Sequence, residues 1–142
     1  ELARLSGKSA QMVGIDQMEA LQNTAEQIKK AIILKGIRPL IGFPDRSVYI
    51  NLCGPVNEDE EIIWDSLGTT ISVMLNLGFP IRQAIRQGVY IHFLARDLAV
   101  EKHRGSQLRN WDFLNDLPRV VKMLQEDLDT KLINQYIDIQ VV

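Results

Sequence analysis

At 142 residues, 46% hydrophobic and 24% charged, the chain has the size and balance of one globular domain with a real core. A formal charge of -2 and a pI near 5.7 exclude any global attraction to nucleic acid or to an anionic membrane surface. No apolar run reaches the roughly 20 residues that cross a bilayer, no basic and then apolar leader opens the chain, and a single cysteine, Cys53, excludes a disulfide framework or a multi-cysteine metal site. Cys53 is expected to be a buried small hydrophobe in a soluble intracellular protein of the cytoplasm or an organelle matrix.

The opening Glu1-Leu-Ala-Arg-Leu5 reads as the interior of a fold and has no initiator methionine, which implies residues upstream. Asp16 and Glu19 form a capping box that starts a helix. Met18, Leu21, Ala25, Ile28 and Ile32 then recur at helical spacing, and Lys29 and Lys30 favour the negative end of the dipole near Lys30. The run Ala31-Ile-Ile-Leu34 is short and mostly β-branched, the pattern of a strand covered on both faces as in a parallel sheet. Strands near 40–43 and 47–52 flank Phe43-Pro44-Asp45-Arg46, where proline presets φ and aspartate bonds local amides, so a hairpin is expected.

Residues 53–61 read as a loop with Gly54, Pro55 and the acidic run Glu58, Asp59, Glu60 and Glu61. Ile63, Leu67, Ile71, Met74 and Leu75 mark a helix over 62–77, with Trp64 and Asp65 in its first turn and Gly78 and Pro80 as its stop. A second long helix spans about 81–102, with Ala84, Ile85, Val89, His92, Ala95 and Ala99 near one stripe. A third pattern opens at Asp112 and runs toward Glu126. Pro118 is tolerable only in a first turn, which puts the true helix start just before it. The tail over 132–142 reads as a short helix passing into an extended arm.

In this order the elements resemble the C-terminal portion of the ADP/ATP-dependent NAD(P)H-hydrate dehydratases. Ile32-Ile-Leu-Lys35-Gly36 is similar to that family's strand ending in Leu-Lys-Gly, and Val48-Tyr-Ile-Asn51 to its Val-Tyr-Val-Asn strand. Gly88-Val-Tyr-Ile-His92, with Ala95 and Asp97, resembles its Gly-Val-x-x-His-Gly-x-Ala-Gly-Asp helix, and Asp112 with Leu117-Pro118 its Ser-Asp ending. The resemblance covers about residues 1–124 and implies an α/β, ribokinase-like three-layer fold. The expected portion is a helix, a parallel strand, a hairpin and then helices packed on the sheet, in one domain over 1–142 that lacks its N-terminal strands.

The family carries Gly-Asn-Pro-Gly-Met-Ala-Thr-Gly-Gly-Ser-Gly-Asp where this chain runs from Gly54 to Asp65, eleven residues on. Glycines let the backbone turn tightly and aim amides at phosphate beside a helix N-terminus. Here the four positions before Asp65 are Glu61, Ile62, Ile63 and Trp64, whose bulk and β-branching oppose that conformation. Acids at 58–61 add repulsion of about 4 kcal/mol for each close like-charged pair at an effective dielectric near 20. Phe93 and Arg96 also stand where the family has glycines, and Trp111 where it has a small residue.

The resemblance implies Asp65 as a catalytic remnant placed at the substrate, and Lys35, Gly36 and Gly54 as remnants of nucleotide binding. Plainer readings stand beside these. Asp65 reads first as a helix-starting acid stabilised by the dipole by about 0.3–1 kcal/mol, ahead of an inherited substrate contact. Lys35 is a solvated strand-end lysine, or a crevice-facing one. His92, on an apolar stripe, reads as a satisfied core histidine rather than a ligand or base. Lys102, His103, Arg104 and Arg109 are too sparse and aromatic-poor for a nucleic-acid site.

The expectation is a non-catalytic member of the fold acting as an interaction or structural subunit, with no metal and no cofactor. Its partner would be a protein or an upstream segment that completes the sheet, in a homo- or hetero-oligomer. The alternatives are an active dehydratase using ATP or ADP with Mg, and, more remotely, a small-molecule kinase of the wider group with an aspartate base.

Overall fold

The computed structural model describes residues 1–53, 61–103 and 112–126. Gly54, the acids at 58–60, Arg104, Arg109, Trp111 and the tail over 132–142 lie outside these residues, and so do the expectations placed on them. The described chain divides into two compact units that meet in sequence between Asn51 and Leu52.

The first unit opens with two short helices, α1 (Leu2–Ser6) and α2 (Ala10–Ile15), in a stretch for which the periodicity predicts no element. Gly7 closes α1 at φ 67, a left-handed conformation that costs glycine little, and Ser9 caps α2 by accepting from the Met12 amide at 3.2 Å. Asp16 likewise caps α3 (Gln17–Ile28), accepting from the Glu19 amide at 2.9 Å. This helix ends at Ile28 because Lys29 turns left-handed at φ 56 and its amide bonds the Ala25 carbonyl.

Strands β1 (Ile32–Leu34), β2 (Leu40–Gly42) and β3 (Val48–Ile50) form a sheet in the order β1-β2-β3. Among the described residues β1 pairs antiparallel with β2, in the register Ile33 opposite Ile41, and not as the parallel strand its composition predicts. The link from Lys35 to Pro39 is the reason. A connection that short joins antiparallel neighbours, whereas a parallel pair needs a crossover of roughly a dozen residues. All three β1 residues are half-buried, so the apolar run reflects partial rather than two-sided cover.

The predicted hairpin is β2–β3, with Ile41 opposite Tyr49. Its turn is fixed by the Asp45 carboxylate, which accepts from the Ser47 amide at 3.1 Å and the Ser47 hydroxyl at 2.6 Å. Arg46 adopts φ 70 there, and its guanidinium reaches Asn23 at 2.7 Å and Glu26 at 2.9 Å on α3. The core of this unit gathers Leu2, Val13, Ala20, Leu21 and Val48, with Leu40 and Ile32 against it. Gly42 lets β2 and α3 close up, since a Cβ there would lie 2.7 Å from Leu21 Cγ.

The second unit is helical: α4 (Glu61–Asn76), α5 (Ile81–Lys102) and α6 (Asp112–Glu126). Helix α5 lies against both others and buries Ala84, Ile85, Val89, His92, Ala95 and Ala99, the predicted stripe. Its crossing with α4 is tight at Gly88, where a Cβ would sit 2.9 Å from Ile71 Cγ1 and 3.2 Å from Ile71 Cα. On α4, Ile63, Leu67 and Met74 are buried as expected, but Leu75 faces out. Helix α6 starts at Asp112, well before the proline-based expectation, with Pro118 inside it. Phe113, Asp116 and Val120 are buried at helical spacing, and that packing outweighs the roughly 3 kcal/mol intrinsic penalty of proline. Cys53 is half-buried against the cluster of Met74, Ala84, Tyr90, Ile91, Ala95 and Val120, in keeping with a packing role.

Candidate functional site

The residues singled out before Asp65 are wound into α4. The helix begins at Glu61, so Asp65 stands just beyond the first turn, where the dipole's pull on a carboxylate is already falling off. Asp65 itself is exposed, while Ile63 and Trp64 are buried in the helical unit. Trp64 meets Phe93 edge-on with ring centroids 5.1 Å apart. Two bulky residues that stand at glycine positions of the resembled family therefore occupy one another's space, and aromatic packing of this kind contributes about 0.5–1.5 kcal/mol beyond area burial.

His92, the residue before Phe93, is fully buried and anchors the same turn. Its Nε2 lies 2.7 Å from the Ile63 carbonyl, and its Nδ1 lies 2.8 Å from Thr70 Oγ1. A carbonyl only accepts, so Nε2 carries the proton and Nδ1 accepts from the Thr70 hydroxyl, which assigns the neutral tautomer from its partners. Burial pushes the His92 pKa below the usual imidazole value, and the bond to the Ile63 carbonyl opposes that only in part. The ring also meets Phe93 at 5.7 Å and Phe113 on α6 at 5.1 Å. His92 is thus a satisfied core histidine, as its sequence setting predicts. Thr70 and Phe113, its other partners, carry no sequence signal until the pairing of the three helices is known.

Tyr90 on α5 is buried near Cys53, and its hydroxyl is pushed up to about 12 by burial first and by Cys53 second. Arg96 is buried beside its neighbour Asp97, with Nη1 3.1 Å from Asp97 Oδ1. A guanidinium at this position is accommodated by a carboxylate next to it in sequence. No group of three or more His, Cys, Asp or Glu is placed to hold a metal ion among the described residues. Among the same residues no helix is long and apolar enough to cross a membrane.

Lys35 is exposed at the end of β1, followed by half-buried Gly36, and both belong to the first unit. Asp65, Trp64, His92 and Phe93 belong to the second. Within that second unit Trp64, Phe93 and His92 meet beside the start of α4, next to the exposed Asp65.

A three-stranded antiparallel sheet with its covering helix, followed by a three-helix unit, defines a portion of a ribokinase-like α/β fold. Solved structures of that class agree. The ADP/ATP-dependent NAD(P)H-hydrate dehydratase of Bacillus subtilis, co-crystallised with ATP/Mg2+ and soaked with CoA, matches 84% of this chain and 44% of its own at TM-score 0.70 and 26% identity. YxkO of Bacillus subtilis, a member of the UPF0031 family, matches equally well. No family model matches the sequence.

Among curated proteins, the chain is 33% identical over 132 residues to the bifunctional NAD(P)H-hydrate repair enzyme Nnr of Thermofilum pendens, covering 93% of this chain and 25% of that protein. It is 30% identical over 101 residues to the ADP-dependent (S)-NAD(P)H-hydrate dehydratase of Neisseria meningitidis serogroup B, covering 71% of this chain and 34% of that one. The chain belongs to the NAD(P)H-hydrate dehydratase family, and it spans a quarter to a third of the length of these curated relatives.

Proposed function

We propose that this chain is a non-catalytic NAD(P)H-hydrate dehydratase-like domain that acts as an interaction or structural subunit. The observation that carries the reading is the rebuilt start of α4. Glu61, Ile62, Ile63 and Trp64 occupy the four positions before Asp65, and Trp64 is buried against Phe93. Phosphoryl chemistry depends on preorganised donors around the transferring group, and one retained carboxylate does not supply them. The acids at 58–61 add repulsion toward any polyphosphate. On this reading the domain takes no cofactor and works through a protein partner or a segment that completes its sheet.

A second reading is favoured by the exposure of Asp65 near the start of α4. In it, another segment supplies phosphate binding, ATP or ADP with Mg binds, and Asp65 acts on a hydrated nicotinamide. Calorimetric titration with ATP and ADP plus magnesium, repeated on Asp65→Ala, separates the two. The proposed function expects no heat of binding at millimolar nucleotide for either protein. Micromolar binding by the native protein refutes it and makes turnover of hydrated NADH the next assay.

A further inference from the structure

The sheet has an open edge at β1, which among the described residues pairs with β2 alone. The hydrogen bonds around β2 fix which groups that edge presents. The Phe43 amide bonds the Ser47 carbonyl and the Asn51 amide bonds the Pro39 carbonyl, both at 2.9 Å, so the odd-numbered residues of this strand turn their backbone toward β3. Successive residues direct their backbone groups to opposite sides, so Leu40 and Gly42 bond their partners in register, Leu34 and Ile32. Ile33 is left with its N–H and C=O pointing away from the sheet.

Ile33 is half-buried, and Ala31 to Leu34 carry no charge or proline of the kind that blunts an exposed edge. The side-chain cover is unfinished on the same flank. Ile32 and Leu34 pack against the core of Leu2, Leu21 and Val48, yet both stay half-buried. In the cross-strand row Ile32, Gly42, Val48, the last two are buried and only Ile32, beside the open edge, is not. One further strand would satisfy the Ile33 backbone and complete this row together.

We propose that the chain's own tail, residues 137–142, fills this edge as a fourth strand. Ile137, Ile139 and Val141 alternate with Asp138 and Gln140, a pattern rich in β-branched residues and free of glycine and proline. The period of two sets the three apolar residues beside Ile32 and Leu34, and Asp138 and Gln140 on the side of Ile33. Residues 127–136 separate α6 from this segment and span up to about 35 Å when extended. A folded chain of this length has a radius of gyration of about 15 Å, so the tether is long enough to reach the edge. Tethering also selects the occupant. A strand on such a linker competes at an effective concentration of about a millimolar, which a second copy at micromolar concentration does not match. The proposal rests on the interaction role given above and names the segment that completes the sheet. Its test reads amide exchange rather than nucleotide binding, so the two fail separately.

Hydrogen exchange of the full chain, followed by NMR at the Ile33 amide and read against the buried Val89 of α5, tests it. Exchange at Ile33 should be at least roughly tenfold slower in the native chain than in Ile139→Lys or Val141→Lys. Gln140→Lys, on the other side of the added strand, should leave that protection in place. Sedimentation equilibrium should return the 16.2 kDa of one chain while Ile33 is protected. Fast exchange of Ile33 in the native chain overturns the proposal, as does protection that survives both Ile139→Lys and Val141→Lys. Protection that grows with protein concentration overturns it too, and assigns the edge to a second copy.

Discussion

Replacing His92 by leucine tests the electrostatics at the start of α4. The side chains are similar in bulk, and the change removes the bonds to the Ile63 carbonyl and to the Thr70 hydroxyl, at 2.7 and 2.8 Å. A buried hydrogen bond contributes about 0.5–1.5 kcal/mol net, so the loss at neutral pH is about 1–3 kcal/mol. The lower end is expected, because the carbonyl keeps its place in the helical ladder and the hydroxyl can turn to its own helix.

The pH dependence is the sharper test of this site. The His92 pKa is lowered in the fold, chiefly by burial, so between the folded value and the unfolded value near 6.5 the unfolded chain holds more protons. Stability therefore rises with pH through that window. It is full above about pH 6.5 and falls below it by up to about 1.4 kcal/mol per pH unit. The leucine variant lacks this term, so its deficit relative to the native protein should shrink as pH drops. Urea unfolding, followed by tryptophan fluorescence from about pH 8 to pH 5, gives both curves. Parallel curves would mean that His92 is not held neutral, and would refute the assignment of its tautomer.

Two further outcomes follow from the same packing. Gly88→Ala should cost about 1–3 kcal/mol, since the new Cβ meets Ile71 Cα as well as its flexible side chain; urea midpoints measure this, and pairing the change with Ile71→Ala should recover part of the loss. Asp16→Ala should cost about 1 kcal/mol through loss of the bond to the Glu19 amide, read as a lower melting temperature with near-native helix content.

Most helices were legible because their boundaries carry chemical punctuation. Gly78 and Pro80 separate α4 from α5, and the expected span of 81–102 is the one formed. Asp16 announces α3, and Asp45 announces the hairpin turn. What escaped was set by contacts distant in sequence. Gly7 and Ser9 do punctuate α1 and α2, but those helices are too short for a periodic stripe to stand out. Pro118 misled because proline's penalty is local, whereas the burial of Phe113 and Val120 that offsets it is not. At the candidate site, the loss of the glycines could be read directly from Glu61 to Trp64. Where Trp64 would go could not, since its partner Phe93 lies 29 positions further on in another helix.

The ring contacts run from Trp64 to Phe93 to His92 to Phe113, and so from α4 through α5 to α6. No helix of that unit can peel away without opening a void beside the other two. Their slowest-exchanging amides should therefore share one opening free energy, a single foldon rather than three frayed pieces. A chain that carries interlocking rings where its relatives carry flexible glycines exchanges local breathing for all-or-none unfolding, and the exposed Asp65 stands next to the first of those rings, Trp64.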